Sequence, residues 1–187
     1  GHWRGFFAKY PESNRMHLKA QLLSDLSRSR GDPEEARRAI GRAQCNDAYW
    51  HGLFGGLYLP HLRRALYNAM IELEAHLDRS AARPDHYRED LDYDGHEELF
   101  LHNPTVQAVV SLDGTASIRE LDSYVLNHNF VDTLSRQAEH YRRKIQAGEA
   151  GAAASSGIAS AHDRVSFKSL IVPSDLNLDD HGKTLFL

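Results

Sequence analysis

The run Pro60-His-Leu-Arg-Arg-Ala-Leu-Tyr-Asn-Ala-Met-Ile-Glu-Leu-Glu-Ala-His-Leu77 decides what kind of chain this is. Leu62, Leu66, Ala69, Met70, Leu73 and Leu77 recur three or four apart, the period of one helix face. Arg63, Arg64, Glu72 and Glu74 fall mostly off that stripe. Pro60 suits the first helical turn, where its missing N–H leaves no intrahelical bond unmade. A helix this amphipathic needs partners to cover its apolar face, and the upstream sequence offers them. Pro11 fits another helix start, Met16, Leu22, Leu23 and Leu26 follow at helical spacing, and Gly31 marks a stop. Asp32 can cap the next helix, with Pro33 at its first position and Glu35 close to a capping box. That helix is expected to run to about Cys45. The bundle so predicted is antiparallel and has about three helices.

Downstream of Leu77 the pattern changes. Ser80 to Asp94 is polar and charged, which reads as a boundary. Val106, Ala108, Val110 and Leu112 then alternate with polar or outward-facing positions, and Asp113-Gly114 is a hairpin signal. Ala116, Ile118 and Leu121 continue on the far side. Glu97 to roughly Leu126 therefore reads as antiparallel strands of a half-exposed sheet. Asp132 to Lys144 is expected as a short helix and Val165 to Val172 as a strand. The Ala/Gly/Ser-rich stretch 147–161 offers little to bury and is expected as a flexible loop. The fold class is α+β: the helical bundle, then part of an antiparallel β-sandwich. Its units are a helical domain (1–80), a linker (81–95) and the N-terminal part of a sandwich domain (96–187).

The 187 residues accommodate one ordinary domain or two small ones. A net charge of −4 gives no long-range attraction for nucleic acid or an acidic membrane surface. No apolar run approaches the roughly 20 residues of a membrane helix. The single cysteine, Cys45, excludes an internal disulfide framework, suits a reducing, cytoplasmic compartment and reads as a small buried residue. Twelve histidines invite a metal, yet no His-x-x-x-His or paired Cys spacing accompanies them, so no metal site or cofactor is expected. Glu34, Glu35, Glu72 and Glu74 read as solvated helix faces. Gly1-His-Trp-Arg has neither a starting Met nor a secretory apolar run, and Leu185-Phe-Leu187 reads as an unfinished strand. Both ends are expected to be cut.

Chemistry concentrates between the second and third helices, in Gln44-Cys-Asn-Asp-Ala-Tyr-Trp-His-Gly52 and on to Leu59. Sugars present hydroxyls at their edges and C–H groups on their faces. An Asp accepts from adjacent hydroxyls, an indole stacks on the C–H face, and nearby glycines let backbone approach a ligand. Asp47 and Trp50 are the candidates, with His51 beside them. Spacing alone leaves a plainer reading open, in which Asp47 caps a helix while Trp50, Phe54 and Tyr58 fill a core.

Two stretches carry a resemblance. Trp3-Arg-Gly-Phe-Phe-Ala-Lys-Tyr-Pro-Glu-Ser-Asn14, followed by Met16-His17, resembles the segment where family 57 glycoside hydrolases leave their catalytic barrel for a helical region. Gln44 to Arg63 is similar, without a gap, to the last sequence region shared by that family's 4-α-glucanotransferases and α-amylases. Glu120-Leu-Asp122, Asn129-Phe-Val-Asp-Thr-Leu134 and Asp163-Arg-Val-Ser-Phe167 resemble parts of its C-terminal β-sandwich. The resemblance is weakest between Ser80 and Gly95 and across the Ala/Gly/Ser stretch.

The resemblance implies a helical domain packed beside a seven-stranded β/α barrel, where Asp47 and Trp50 face bound α-1,4-glucan or maltooligosaccharide. It places the catalytic residues, a Glu nucleophile and an Asp acid/base, on the barrel upstream of Gly1. A retaining glycosidase needs two carboxyl groups about 5 Å apart, so this chain alone is expected to be inactive. Its own upstream barrel is the expected partner, and surface meant for that barrel leaves a homo-oligomer open. A stand-alone carbohydrate-binding domain and a purely structural scaffold remain the alternatives.

Overall fold

Residues 2–51, 55–139 and 177–185 are described in a computed structural model of the chain. Helices come first: α1 (Trp3–Lys9), α2 (Pro11–Ser29), α3 (Glu34–Ala43) and α4 (Pro60–Ser80). Two 3-10 turns, Asn46–Ala48 and Gly56–Tyr58, join α3 to α4. Then come β1 (His86–Glu89), β2 (Glu98–His102), β3 (Val106–Ser111), β4 (Ile118–Ser123) and β5 (His128–Asn129), an antiparallel meander in chain order. The α+β class and the order of helices before strands agree with the sequence reading.

The helices differ in detail from expectation. Tyr10 precedes Pro11 and takes φ −121, ψ 85, the extended conformation that a following proline imposes. The helix breaks there, so α1 is a fourth helix where about three were expected. Asp32 does not cap α3. It stands at φ 52 next to Gly31 at φ +82, accepts the Ser27 hydroxyl at 2.9 Å, and so closes the end of α2. Pro33 is the residue preceding α3, with no side-chain cap.

Below the helices lies one apolar cluster. Met16 and Leu23 of α2, and Leu66, Met70, Leu73 and Leu77 of α4, are each at most 3% exposed. Burying a side chain of this size contributes about 1.5–3 kcal/mol. Ala36, Ala39 and Ala43, at helical spacing, let α3 lie closely along α4. Cys45, expected to be buried, is exposed and unpaired.

The seam between helices and sheet is polar. Lys19 of α2 reaches Glu74 of α4 at 3.0 Å and Asp122 of β4 at 2.7 Å, and also pairs with Glu120. Glu120 and Asp122 are two apart on β4 and therefore share a face. Gln107 of β3 donates to Glu74 at 3.2 Å and to Asp122 at 3.1 Å. Arg83 pairs with Glu74 at 3.2 Å and Asp78 at 2.8 Å, over the Phe100 ring. Burial, and then the Glu120 charge, pushes Asp122 well above the usual carboxylate range. Burial would raise Glu120 too, but the Lys19 ammonium together with the hydrogen bonds from Asp122, Lys19 and Gln107 outweighs it and holds that group low.

This seam corrects three expectations. Glu74 is 2% exposed and no part of a solvated face, and Arg63, placed off the stripe, is 5% exposed. On β3 the buried positions are Gln107 and Ser111, whereas Val106 and Leu112 are each 36% exposed, the reverse of the expected apolar inner face. The stretch 81–95, read as linker, holds β1, which pairs with β2 from His86↔Leu101 to Glu89↔Glu98. The Asp113-Gly114 turn is present, with Thr115 N–H donating to Asp113 at 3.0 Å and Gly114 at φ +96. Residues 131–139 form no helix, so that part of the helix expected over 132–144 is absent. Residues 140–144, the loop 147–161 and the strand 165–172 lie outside the described residues. Leu185 forms a bridge with Ile118.

Lys19→Ala leaves Glu120 and Asp122 without their cation, and Glu74 with Arg83 alone, and should cost about 3–5 kcal/mol. Urea unfolding at pH 7 measures this loss, and part of it should return on acidification as the carboxylates protonate.

Candidate functional site

After α3 the chain enters the Asn46–Ala48 turn and then reverses through Gly55-Gly56 into α4. Tyr49 is the pivot. It is 5% exposed, donates its hydroxyl to the Ala43 carbonyl at 2.6 Å, and its own carbonyl accepts the Ser13 hydroxyl at 2.6 Å. With Tyr49 turned inward, its neighbours are left outside. Asp47 is exposed, and Trp50 is 39% exposed. Asp47 lies in the 3-10 turn and Trp50 two residues past its end.

The two strands of this connection touch through glycine. Leu57 N–H donates to the Trp50 carbonyl at 2.8 Å. Gly56 has φ +49, and a Cβ there would lie 2.1 Å from the Trp50 carbonyl oxygen, 2.9 Å from that of Asp47 and 3.0 Å from the His51 Cα. Only glycine lets these segments meet. Arg63 fastens the far end, donating to the Leu57 carbonyl at 2.5 Å and pairing with Asp132 at 2.7 Å.

His51 points down, into an aromatic floor. Its ring lies 5.6 Å from Phe6, 5.5 Å from Tyr10 and 5.1 Å from Tyr58. At the centre of that floor is Glu139, 3% exposed. Lys9 donates to Glu139 Oε2 at 2.7 Å, and the Tyr10 and Tyr58 hydroxyls both donate to Oε1. His51 Nε2 lies 2.7 Å from the Tyr10 hydroxyl oxygen and 3.3 Å from Glu139 Oε2. The single Tyr10 proton goes to Glu139, so its oxygen accepts from His51, which assigns the Nε2–H tautomer. Burial works to raise Glu139, but the hydrogen bonds from Lys9, Tyr10 and Tyr58 prevail and keep it below the usual range. Burial lowers His51 and favours its neutral ring.

The structure therefore leaves Asp47 and Trp50 exposed and turns His51, whose side chain keeps 23% exposure, towards Tyr10 and Glu139. Phe54, part of the plainer core reading, lies outside the described residues. Tyr58 is half-buried and Trp50 exposed, so neither is wholly core. A cleft of about 730 Å³ opens on the Asn46 side of the turn, lined by Trp3, Phe7, His17, Tyr49 and Tyr93 among others. Asp47, Trp50 and His51 do not line it. Sequence reasoning missed Glu139, Tyr10 and Lys9. Lys9-Tyr10 and His51-Tyr58 lie in separate stretches singled out by resemblance, but no spacing joins either to residue 139.

Comparison with known proteins bears on this arrangement directly. The family model described as alpha-amylase/4-alpha-glucanotransferase, middle domain, matches residues 1–77, and the model of the C-terminal domain matches residues 90–187. An alpha-amylase of Pyrococcus abyssi is 43% identical over 163 residues, covering 87% of this chain and 24% of that protein. A 4-alpha-glucanotransferase of Thermococcus kodakarensis is 41% identical over 165 residues, again 87% and 24%. The solved 4-alpha-glucanotransferase of Thermococcus litoralis superposes with a TM-score of 0.68 at 43% identity, covering 76% of this chain and 21% of its own. The chain belongs to the alpha-amylase/4-alpha-glucanotransferase family of glycoside hydrolase family 57 type. It spans about a quarter of the length of the curated relatives it matches. Among the described residues no helix is long and apolar enough to cross a membrane.

Two outcomes test this geometry. Gly56→Ala combines a left-handed φ with a backbone clash, so the loss of stability should exceed about 1 kcal/mol, accompanied by a shift in Trp50 emission. Glu139, held low in the folded state, stabilises the fold above its unfolded pKa of about 4.3. That contribution is lost as pH falls through the lower folded value. Melting temperature should therefore drop on acidification through this range, and Glu139→Gln should be less stable at pH 7 and lack that part of the drop.

Proposed function

We propose that this chain is the helical domain and the first part of the sandwich domain of an α-glucan-processing enzyme, a 4-α-glucanotransferase or α-amylase. The helical domain takes residues 1–80, and the sandwich domain begins within 81–95, where β1 already pairs with β2. The chain's role is to form one wall of the substrate cleft. Asp47 accepts hydroxyls of an α-1,4-glucan, Trp50 stacks on a sugar face, and His51 lies at the margin, held by Tyr10. The observation that carries this reading is the exposure of Asp47 and Trp50 on one turn above a floor of fully engaged polar groups. Hydrogen bonds to the Tyr49 and Trp50 carbonyls hold the backbone of this connection before a ligand arrives, which reduces what ordering costs on binding.

The chemical step belongs elsewhere. A retaining mechanism needs an attacking and a protonating carboxyl group about 5 Å apart. Asp47 alone cannot both attack the anomeric carbon and protonate the leaving oxygen. The Glu nucleophile and Asp acid/base are assigned to a barrel domain preceding Gly1, the chain's intramolecular partner. The unpaired, exposed Cys45 suits a reducing, cytoplasmic setting. The names of the relatives support the substrate class, and the choice between hydrolysis and transfer rests on the barrel side of the cleft.

Fluorescence tests the wall. Trp3 is not remote from the site, since α1 places Phe6 of the same helix against His51, so the titration uses a Trp3→Phe background. Maltooligosaccharide should shift and quench the remaining Trp50 emission, and Asp47→Asn should weaken binding about tenfold, the worth of a charge-assisted hydrogen bond. An unchanged spectrum, with Trp50→Ala also silent, would favour a scaffold. The chain alone should show no turnover, and joining it to a family barrel domain should restore it. Turnover by the isolated chain that Asp47→Asn leaves untouched would sink the assignment.

A further inference from the structure

The turn between β1 and β2 reads Asp90-Leu-Asp92-Tyr-Asp94-Gly-His-Glu-Glu98. Carboxylates fall at its first, third, fifth and ninth positions, with glycine at the sixth. Short loops use this alternation to turn successive oxygen ligands towards one hard cation, the glycine making the sharp turn. It differs from the helix-flanked calcium loop in joining two antiparallel strands and in lacking an acid at the twelfth position, where Leu101 sits on β2. Asp90 closes the loop on itself, accepting Asp94 N–H at 3.1 Å and Gly95 N–H at 3.0 Å. One carboxylate oxygen each from Asp90, Asp92 and Glu98 lie within 4.8 Å of one another. A single cation with metal–oxygen distances of about 2.4 Å bridges that spread.

An acidic cluster by itself means little at a protein surface, but two of these acids are turned inward. Glu98 is 3% exposed. Its Oε2 accepts the Leu91 N–H at 2.8 Å, and its Oε1 takes no hydrogen bond among the described residues. Asp92 Oδ1 is sealed from solvent and has no donor either. Buried carboxylate oxygens ordinarily have partners. The same molecule supplies the contrast: the other close trio of acids, Glu74, Glu120 and Asp122, surrounds the Lys19 ammonium. No lysine or arginine forms an ion pair with Asp90, Asp92, Asp94 or Glu98 among the described residues.

We propose that the β1–β2 loop binds a calcium ion through Asp90, Asp92 and Glu98, with Asp94 completing the carboxylate set. The donors are all hard oxygens on a loop that can adjust, which suits calcium better than the smaller, strictly octahedral magnesium. Bound there, the cation ties Asp90, the residue following β1, to Glu98, the first of β2, beside the pair Glu89↔Glu98. It also fixes one edge of a cavity of about 360 Å³ between α2 and the sheet, to which Leu91, Asp92 and Glu98 contribute.

Thermal unfolding of the full chain, stripped with EDTA and titrated with calcium chloride, tests the proposal. At a hundredfold excess over the dissociation constant the melting temperature should rise by roughly 5–10 °C, and magnesium at the same concentration should give less than half of that. Terbium should luminesce on tyrosine excitation, because Tyr93 lies within the loop, and calcium should quench the signal by displacement. Asp92→Asn keeps the side-chain shape and should abolish both responses, while the EDTA-stripped variant melts at or above the stripped parent, a buried like charge having been removed. If Asp92→Asn does not fold, Glu98→Gln, which keeps an acceptor for Leu91 N–H, serves in its place. No calcium-dependent shift up to about 10 mM, the weak end of calcium sites, would overturn the assignment. So would an equal response to magnesium, or an undiminished response in the folded variant.

Discussion

An ammonium group taken out of water must be answered by carboxylates within reach, and Lys19 is the point from which this molecule is organised. Its three partners come from α4 and β4, so one side chain on α2 specifies how the last helix and the fourth strand lie against each other. Apolar contact is non-directional and would tolerate sliding. A cation held by three acids, with Gln107 and Asn129 filling the remaining acceptor sites, does not. Breaking such a set uncovers charge that water cannot easily reach. The helices therefore have two kinds of support: an apolar cluster among themselves and an ionic cradle beneath.

The surface turn depends on the same rigidity at one remove. Asp47 and Trp50 are left at the surface while their neighbours Tyr49 and His51 are engaged inside. Tyr49 is locked by Ser13 and Ala43, His51 by Tyr10, and Tyr10 and Tyr58 by Glu139. Glu139 belongs to the segment after the sheet, so the floor closes only when the chain has returned from β5 to the helices. The turn is thus a product of both parts of the chain, although its exposed residues all belong to the first.

Much of the fold could be read from periodicity. The stripe from Leu62 to Leu77 gave α4, the alternation around Val106 gave β3, and Asp113-Gly114 gave the hairpin. Errors arose where a polar residue was the buried one. Gln107, Glu74 and Arg63 look like surface residues by type, and only their partners, 6 to 69 residues away, offset the loss of solvation. The short strand β1 has an exposed pattern, eased into place by its pairing with β2, so hydropathy could not reveal it. At the candidate site, Asp47, Trp50 and His51 were legible because side-chain chemistry clusters in sequence there. Glu139 was not, because nothing in its neighbourhood betrays that four groups from α1 and the α3–α4 connection converge on it.

The polar seam also sets how the molecule responds to heat. Hydration of charged groups grows less favourable as temperature rises, so the desolvation that opposes a buried ion network diminishes, while apolar burial gains little more. Warming should therefore leave the joint between helices and sheet comparatively firm and loosen the molecule elsewhere first, within the helical cluster or along the outer strands. A chain whose two layers were joined by leucine and valine would have no such reserve at high temperature.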